Sequence, residues 1–295
     1  MRQDFHYLVD TAMRDPDLDG LRPVVEKELL HHELLFMMER GGFLDELTFQ
    51  GGTSLRLCHG APRFSEDLDF SGGPDFEAER LAGLADALEK GLAERCGLDA
   101  SVTLPKSARR RPLSESVSVA SWRIAIPSPS GRSDLPMLRV KLDIDNAPSH
   151  TREVRRIARQ YAVLPDLDML IAVQSREEIL ANKLVAFPSS VATRDRPRYR
   201  DVWDMHWLHV QGTEIRADLL QAKMRDHRTP PSWLEIAANS VGDIVRFPAF
   251  GMEIRRFVSR DAARETLDSP RSMEFLAQEV ERLMEAAVRS LEREP

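Results

Sequence analysis

Between Phe49 and Phe70 the chain reads FQGGTSLRLCHGAPRFSEDLDF, and its last four residues leave little choice of local structure. In Asp67-Leu68-Asp69-Phe70 polar and apolar residues alternate. That period of two belongs to a strand, so both carboxylates project from one face while Leu68 and Phe70 enter a core. Two carboxylates held so close repel each other, and a cation relieves the repulsion. Hard oxygen ligands on a rigid strand suit Mg²⁺, which commonly takes one or two carboxylates together with substrate phosphates; Mn²⁺ is an alternative. Upstream, Gly51 and Gly52 let the backbone approach a phosphate closely. The apolar run after them reads as a helix whose N-terminus attracts anions. The combination predicts a site for a metal-bound nucleoside triphosphate.

Further along, Met137 to Asp145 alternates Leu138, Val140, Leu142 and Ile144 with Arg139, Lys141, Asp143 and Asp145, which predicts a second strand and a third carboxylate. Asp143 and Asp145 share a face, and the alternation alone does not choose between them. In Ser175 to Phe187 the spacing is helical, and Lys183 falls among Ile179, Leu180, Ala186 and Phe187. A lysine inside an apolar stripe must either snorkel to water or meet a buried anion. Triphosphate is one such anion, met by the ammonium as a compact point charge. A helix over Tyr199 to Val210 places Asp201 and Asp204 on one face, where either can pair with Lys183 or position an acceptor.

The rest of the chain orders these parts. A helix is expected over Leu21 to Arg40, a short strand over Leu47 to Gln50, a helix over Phe76 to Cys96, and strands within residues 101–126. After about Ser175 the pattern becomes almost wholly helical, and Ser269-Pro270 offers an N-cap with proline at the first helical position. The expectation is an α+β fold: a core domain over residues 1–172 with a small mixed sheet, then a mainly helical domain over 173–295. The chain has 295 residues, room for a real core, and a formal net charge of −7, so any nucleic-acid contact must come from local clusters. Two clusters qualify. Arg109, Arg110 and Arg111 follow Lys106, and Arg152, Arg155, Arg156 and Arg159 would share one face of a helix. Phosphate contacts there would give sequence-independent, salt-sensitive affinity. Cys58 and Cys96 provide neither a disulfide framework nor a zinc site, and no apolar run approaches membrane-spanning length, so a cytoplasmic protein is expected.

Gly51-Gly52-Thr53-Ser54-Leu55-Arg56, then Arg63-Phe64-Ser65-Glu66-Asp67-Leu68-Asp69-Phe70, resembles the AbiEii family of nucleotidyltransferase toxins, within the polymerase-β-like nucleotidyltransferase superfamily. Fourteen residues separate Gly52 from Asp67, slightly more than the generic superfamily window. Glu177 to Phe187 is similar to the family's lysine-bearing third motif, and Arg200-Asp201-Val202-Trp203-Asp204 to its fourth. The resemblance implies Asp67, Asp69 and Asp143 as metal ligands, with Asp143 as third ligand or general base. It implies Gly51, Gly52 and a Thr53 or Ser54 hydroxyl around the triphosphate of a bound NTP. Arg56 and Lys183 would neutralise charge on the leaving group, and Asp201 is favoured over Asp204 as the partner of Lys183. Ser65, two residues before Asp67, is either a turn hydrogen-bonder or a place where a phosphate would block the site. The implied activity is nucleotide transfer to the 3′ end of tRNA by the toxin of a toxin–antitoxin system, with an AbiEi-type antitoxin encoded nearby. Transfer to a small molecule or a protein hydroxyl, or a non-catalytic nucleotide-binding module, is the competing expectation.

Overall fold

The computed structural model describes residues 4–106, 117–127, 137–164, 169–193 and 196–292. The chain divides into two units, one of residues 1–60 and 64–174, the other of 61–63 and 175–295.

The first unit is built on a seven-stranded mixed sheet in the order β3-β4-β5-β2-β1-β7-β6. Its strands are β1 (Thr48–Gln50), β2 (Leu68–Ser71), β3 (Ser101–Thr103), β4 (Val119–Ile126), β5 (Leu138–Asp145), β6 (Glu153–Arg156) and β7 (Leu170–Val173). β2 runs parallel to β5 and antiparallel to β1, while β1 runs parallel to β7. The alternation in β5 buries Val140, Leu142 and Ile144 and leaves Asp143 and Asp145 half-buried on the other face. In β2 it buries Leu68 and Phe70, and Phe70 stacks on Phe49 of β1 at 4.9 Å. That stacked pair lies in register and locks the two strands that carry the Gly-Gly turn and Asp69.

Among the described residues, this unit also holds the α-helices α1 (Phe5–Ala12), α2 (Arg22–Arg40), α3 (Gly51–His59) and α4 (Leu84–Cys96). The helix expected from Phe76 is shorter than its apolar spacing implied. Gly83, with φ +85°, breaks it, so a 3₁₀ turn over Ala78–Leu81 precedes α4. A larger correction concerns Arg152, Arg155, Arg156 and Arg159, which do not form a helical face. Residues 153–156 are β6, an edge strand in which Arg155 and Arg156 point to opposite sides. Polar, charged edge strands lack the apolar alternation that identifies a strand, and the arginine spacing mimicked a helix.

The second unit is helical: α5 (Arg176–Thr193), α6 (Tyr199–Val210), α7 (Ala217–Asp226), α8 (Pro231–Ala238), α9 (Val241–Arg246), α10 (Pro248–Ile254), a single turn α11 (Arg260–Ala262) and α12 (Pro270–Glu292). Ser269 caps α12 by accepting the Ser272 N–H at 3.2 Å. Leu276, Val280, Leu283, Met284 and Ala287 form the buried stripe of α12. Among the described residues no helix is long and apolar enough to cross a membrane.

Candidate active site

Register assembles the carboxylates. Gln50 of β1 stands opposite Asp69 of β2, Asp69 opposite Asp143 of β5, and Asp143 opposite Ser121 of β4. Residues in register across neighbouring strands share a face, so Gln50, Asp69, Asp143 and Ser121 form one row over the sheet. Asp67 precedes β2 by one residue, and its Oδ1 accepts the backbone N–H of Lys141 at 3.3 Å. Burial raises the Asp67 pKa above the usual carboxylate value, and the positive charge of Lys141 only partly offsets this. Ser121 Oγ donates to Asp143 Oδ1 at 2.5 Å, which fixes that carboxylate.

The two acids of β5 that the sequence left open have different surroundings. Asp143 is the one in register with Asp69. Asp145 Oδ2 instead accepts Gln50 Nε2 at 2.7 Å, and its Oδ1 accepts the Ala147 N–H at 3.1 Å. Gln50 Oε1 in turn accepts Gln174 Nε2 at 3.0 Å. Asp145 thus belongs to a hydrogen-bonded brace at one end of the row. Gln50 and Gln174 carried no motif; the position of Gln50 just before the Gly-Gly turn was the available signal, and Gln174 had none in the sequence.

Gly51 has φ +78°, and a Cβ there would stand 2.6 Å from Asp69 Oδ2. Only glycine permits both the left-handed backbone and this close approach of the turn to the carboxylate. Gly52 follows in the first turn of α3. The two hydroxyls expected to face a triphosphate do something else. Thr53 Oγ1 donates to the Asp67 carbonyl, Ser54 Oγ donates to the Gly51 carbonyl at 2.8 Å, and both side chains are buried. Their protons hold the turn rather than facing a ligand. Arg56 is a second correction: its Nε lies 2.8 Å from Glu28 Oε2, and its guanidinium sits 4.2 Å over the Phe64 ring. Glu28 is fully buried on α2, and an uncompensated carboxylate there would be strongly destabilising. Ser65 is buried just ahead of Asp67.

Lys183 and both acids of α6 meet in the second unit. Lys183 Nζ lies 3.0 Å from Asp201 Oδ1 and 2.7 Å from Asp204 Oδ2, so both acids, rather than one, hold it. Arg63 forks onto Asp204 with two bonds of 2.7 Å, and Arg198 Nε donates to Asp201 Oδ2. Burial works to lower the Lys183 pKa, but the charges of Asp201 and Asp204 outweigh it and leave the ammonium above its usual value. Burial likewise works to raise Asp201 and Asp204, and their cationic partners hold both below the usual carboxylate range. The anion met by this lysine is therefore already supplied by the protein.

The expected RNA-binding arginines are dispersed. Arg152 donates to the Asp45 carbonyl at 2.6 Å, Arg155 pairs with Glu153 at 2.7 Å, and Arg159 donates to the Ala162 carbonyl. Arg109, Arg110 and Arg111 lie outside the described residues.

The donor set can be judged against a divalent cation. Among the described residues no three His, Cys, Asp or Glu side chains already form a metal-holding cluster. Mg²⁺, however, is characteristically bound by one or two carboxylates, with waters and phosphates completing the shell. Asp67 and Asp69, with Asp143 alongside and a glycine cradle too tight for a Cβ, fit that requirement.

The family model described as "Nucleotidyl transferase AbiEii toxin, Type IV TA system" matches residues 33–292. The chain belongs to the AbiEii family. AbiEii members are nucleotidyltransferases of toxin–antitoxin systems, so the protein is a nucleotidyltransferase with a cognate antitoxin. Among solved structures, JHP933 from Helicobacter pylori aligns with TM-score 0.50 at 18% identity, covering 92% of this chain and 94% of its own. A second H. pylori protein, crystallised as a candidate nucleotidyltransferase, aligns with TM-score 0.49 at 19% identity, covering 92% and 96%. The JHP933 likeness supports the α+β fold. A comparison with curated proteins finds no significant match.

Proposed function

We propose that this AbiEii-family enzyme transfers a nucleotidyl group from an NTP to an RNA hydroxyl, with the 3′ end of tRNA as the acceptor, and thereby blocks translation. The observation that carries the reading is the in-register row of Asp69 and Asp143 beside the left-handed Gly51 turn. The acceptor oxygen attacks the α-phosphorus, the bond from the α-phosphorus to its bridging oxygen breaks, and pyrophosphate leaves. Such transfer depends mainly on positioning and on neutralising charge.

Asp67 and Asp69 would hold Mg²⁺ or Mn²⁺. When bound, the cation supplies neutralisation of the phosphate oxygens. Asp143, aimed by Ser121, accepts the proton of the attacking hydroxyl. Gly51 and Gly52 give the triphosphate close access to the backbone, and the N–H groups at the start of α3 face its charge. Lys183, held charged by Asp201 and Asp204, is excluded as the base.

The test is incubation of the full chain with each α-labelled NTP, Mg²⁺ and total RNA. Labelled tRNA, lost in Asp67→Ala, is the expected result. Label on protein without label on RNA would replace the RNA acceptor by a protein hydroxyl.

A further inference from the structure

The loop that delivers Asp67 to β2 is gripped at two successive carbonyls. His31, in the middle of α2, is fully buried, and its Nε2 lies 3.1 Å from the Glu66 carbonyl oxygen. A carbonyl only accepts, so the hydrogen sits on Nε2. One residue on, Thr53 Oγ1 donates to the Asp67 carbonyl. These two bonds pin the peptide planes on either side of the Asp67 Cα. Because each peptide unit is planar, pinning both fixes φ and ψ at Asp67 and hence the direction of its Cβ. Lys27, one helical turn before His31, adds a third hold through its 2.7 Å pair with the Glu66 carboxylate.

Packing alone does not explain an imidazole at this position. Its Nδ1 is buried without a hydrogen-bond partner. An unsatisfied buried nitrogen is destabilising, which an apolar side chain of similar size would avoid. The bond to Glu66 is the compensating interaction. Burial pushes the His31 pKa down to about 3, so the ring stays neutral at neutral pH and the bond does not switch with protonation.

We infer that His31 is a positioning residue for nucleotidyl transfer, setting through the Glu66 carbonyl the direction in which the Asp67 carboxylate meets a divalent cation. The inference rests on the reading of Asp67 as a cation ligand and adds a residue of α2 that carries none of the motifs. Outer partners of this kind hold a ligand in place without touching the metal.

The experiment is a Mn²⁺ titration of the full chain followed by electron paramagnetic resonance, with the folded fraction checked in urea. His31→Leu should weaken Mn²⁺ binding by about tenfold, in line with the loss of other outer partners. His31→Gln, which keeps an N–H donor, should recover part of that loss, and the Mg²⁺ concentration giving half-maximal transfer should move in parallel. Lower stability in both variants with unchanged Mn²⁺ affinity of the folded protein would make His31 a packing residue and overturn the inference. If His31→Leu does not fold, Lys27→Met, at a half-buried position, decides: weaker Mn²⁺ binding supports the inference and unchanged binding overturns it. Mn²⁺ binding that ignores Asp67→Asn would bring down the cation-site reading and this inference together. Binding that depends on Asp67 but not on His31 would bring down the inference alone.

Discussion

The protein places two pairs of acids away from bulk water and treats them in opposite ways. In the second unit Asp201 and Asp204 are surrounded by Lys183, Arg63 and Arg198, and each carboxylate has direct charged partners within 3.0 Å. In the first unit Asp67 and Asp69 share a face with Asp143, and burial raises the Asp67 pKa against only partial relief from Lys141. One cluster is complete within the chain. In the other, the Lys141 N–H holds Asp67 and the glycine turn closes against Asp69. The acids named by the motifs thus differ in their surroundings: one pair lies among buried cations, the other along the sheet beside the glycine turn.

The largest expected effect separates the two by activity. Asp69→Asn should lower labelled-nucleotide transfer by about a thousandfold or more, because removing a cation ligand forfeits several kcal/mol of transition-state stabilisation. Its urea midpoint without metal should stay close to wild type. Asp204→Ala should do the reverse in folding, costing about 3–5 kcal/mol in urea unfolding, since it leaves Arg63 and Lys183 buried without their shared anion. Equal destabilisation by both substitutions would erase the distinction.

Gly51→Ala tests the cradle at smaller scale. A left-handed backbone costs a Cβ-bearing residue about 1–2 kcal/mol. The new methyl would also displace Asp69, so kcat/KM should fall by more than the stability loss explains. An alanine enzyme with full activity would show that the close approach is unimportant.

The gentlest effect is in pH dependence. Asp201 and Asp204 have lowered values, so their contribution to stability is present above the ordinary carboxylate value of 3.8 and fades as pH falls through the lowered values. Lys183 is raised, so its contribution is present below 10.5 and fades as pH rises through the raised value. The stability difference between wild type and Asp204→Asn should therefore be flat across neutral pH and shrink only at the extremes. Asp67 has the opposite sign from the other acids: its contribution is present below the ordinary 3.8 and is lost as pH rises through its raised value. A difference between wild type and Asp204→Asn that varied through neutral pH would argue against a fully paired cluster.

The elements that carry these acids were legible in the chain itself, and the reason is local. The alternation in Asp67 to Phe70 and in Leu138 to Asp145 specifies faces, and the apolar neighbours of Lys183 leave it either snorkelling or meeting a buried anion. What escaped is set by pairing between distant residues. Arg56 looked free to face phosphate because Glu28 lies 28 residues away on another helix. The hydroxyls of Thr53 and Ser54 looked available because the carbonyls that accept from them appear only once the turn is formed. Glu28, His31, His32 and Glu33 of α2 are polar by type, yet all four are buried. Short, charged β6 offered no period to read, and the grouping of residues 61–63 with the helical unit has no local signature.

The most direct test of the contrast is equilibrium unfolding of wild type and Asp67→Asn at neutral pH, each with and without Mg²⁺. The expected result is that Asp67→Asn is at least as stable as wild type without the metal, and that Mg²⁺ stabilises wild type but not the variant. A variant less stable than wild type without metal, or one stabilised equally by Mg²⁺, would contradict the assignment of Asp67 to a cation-seeking site.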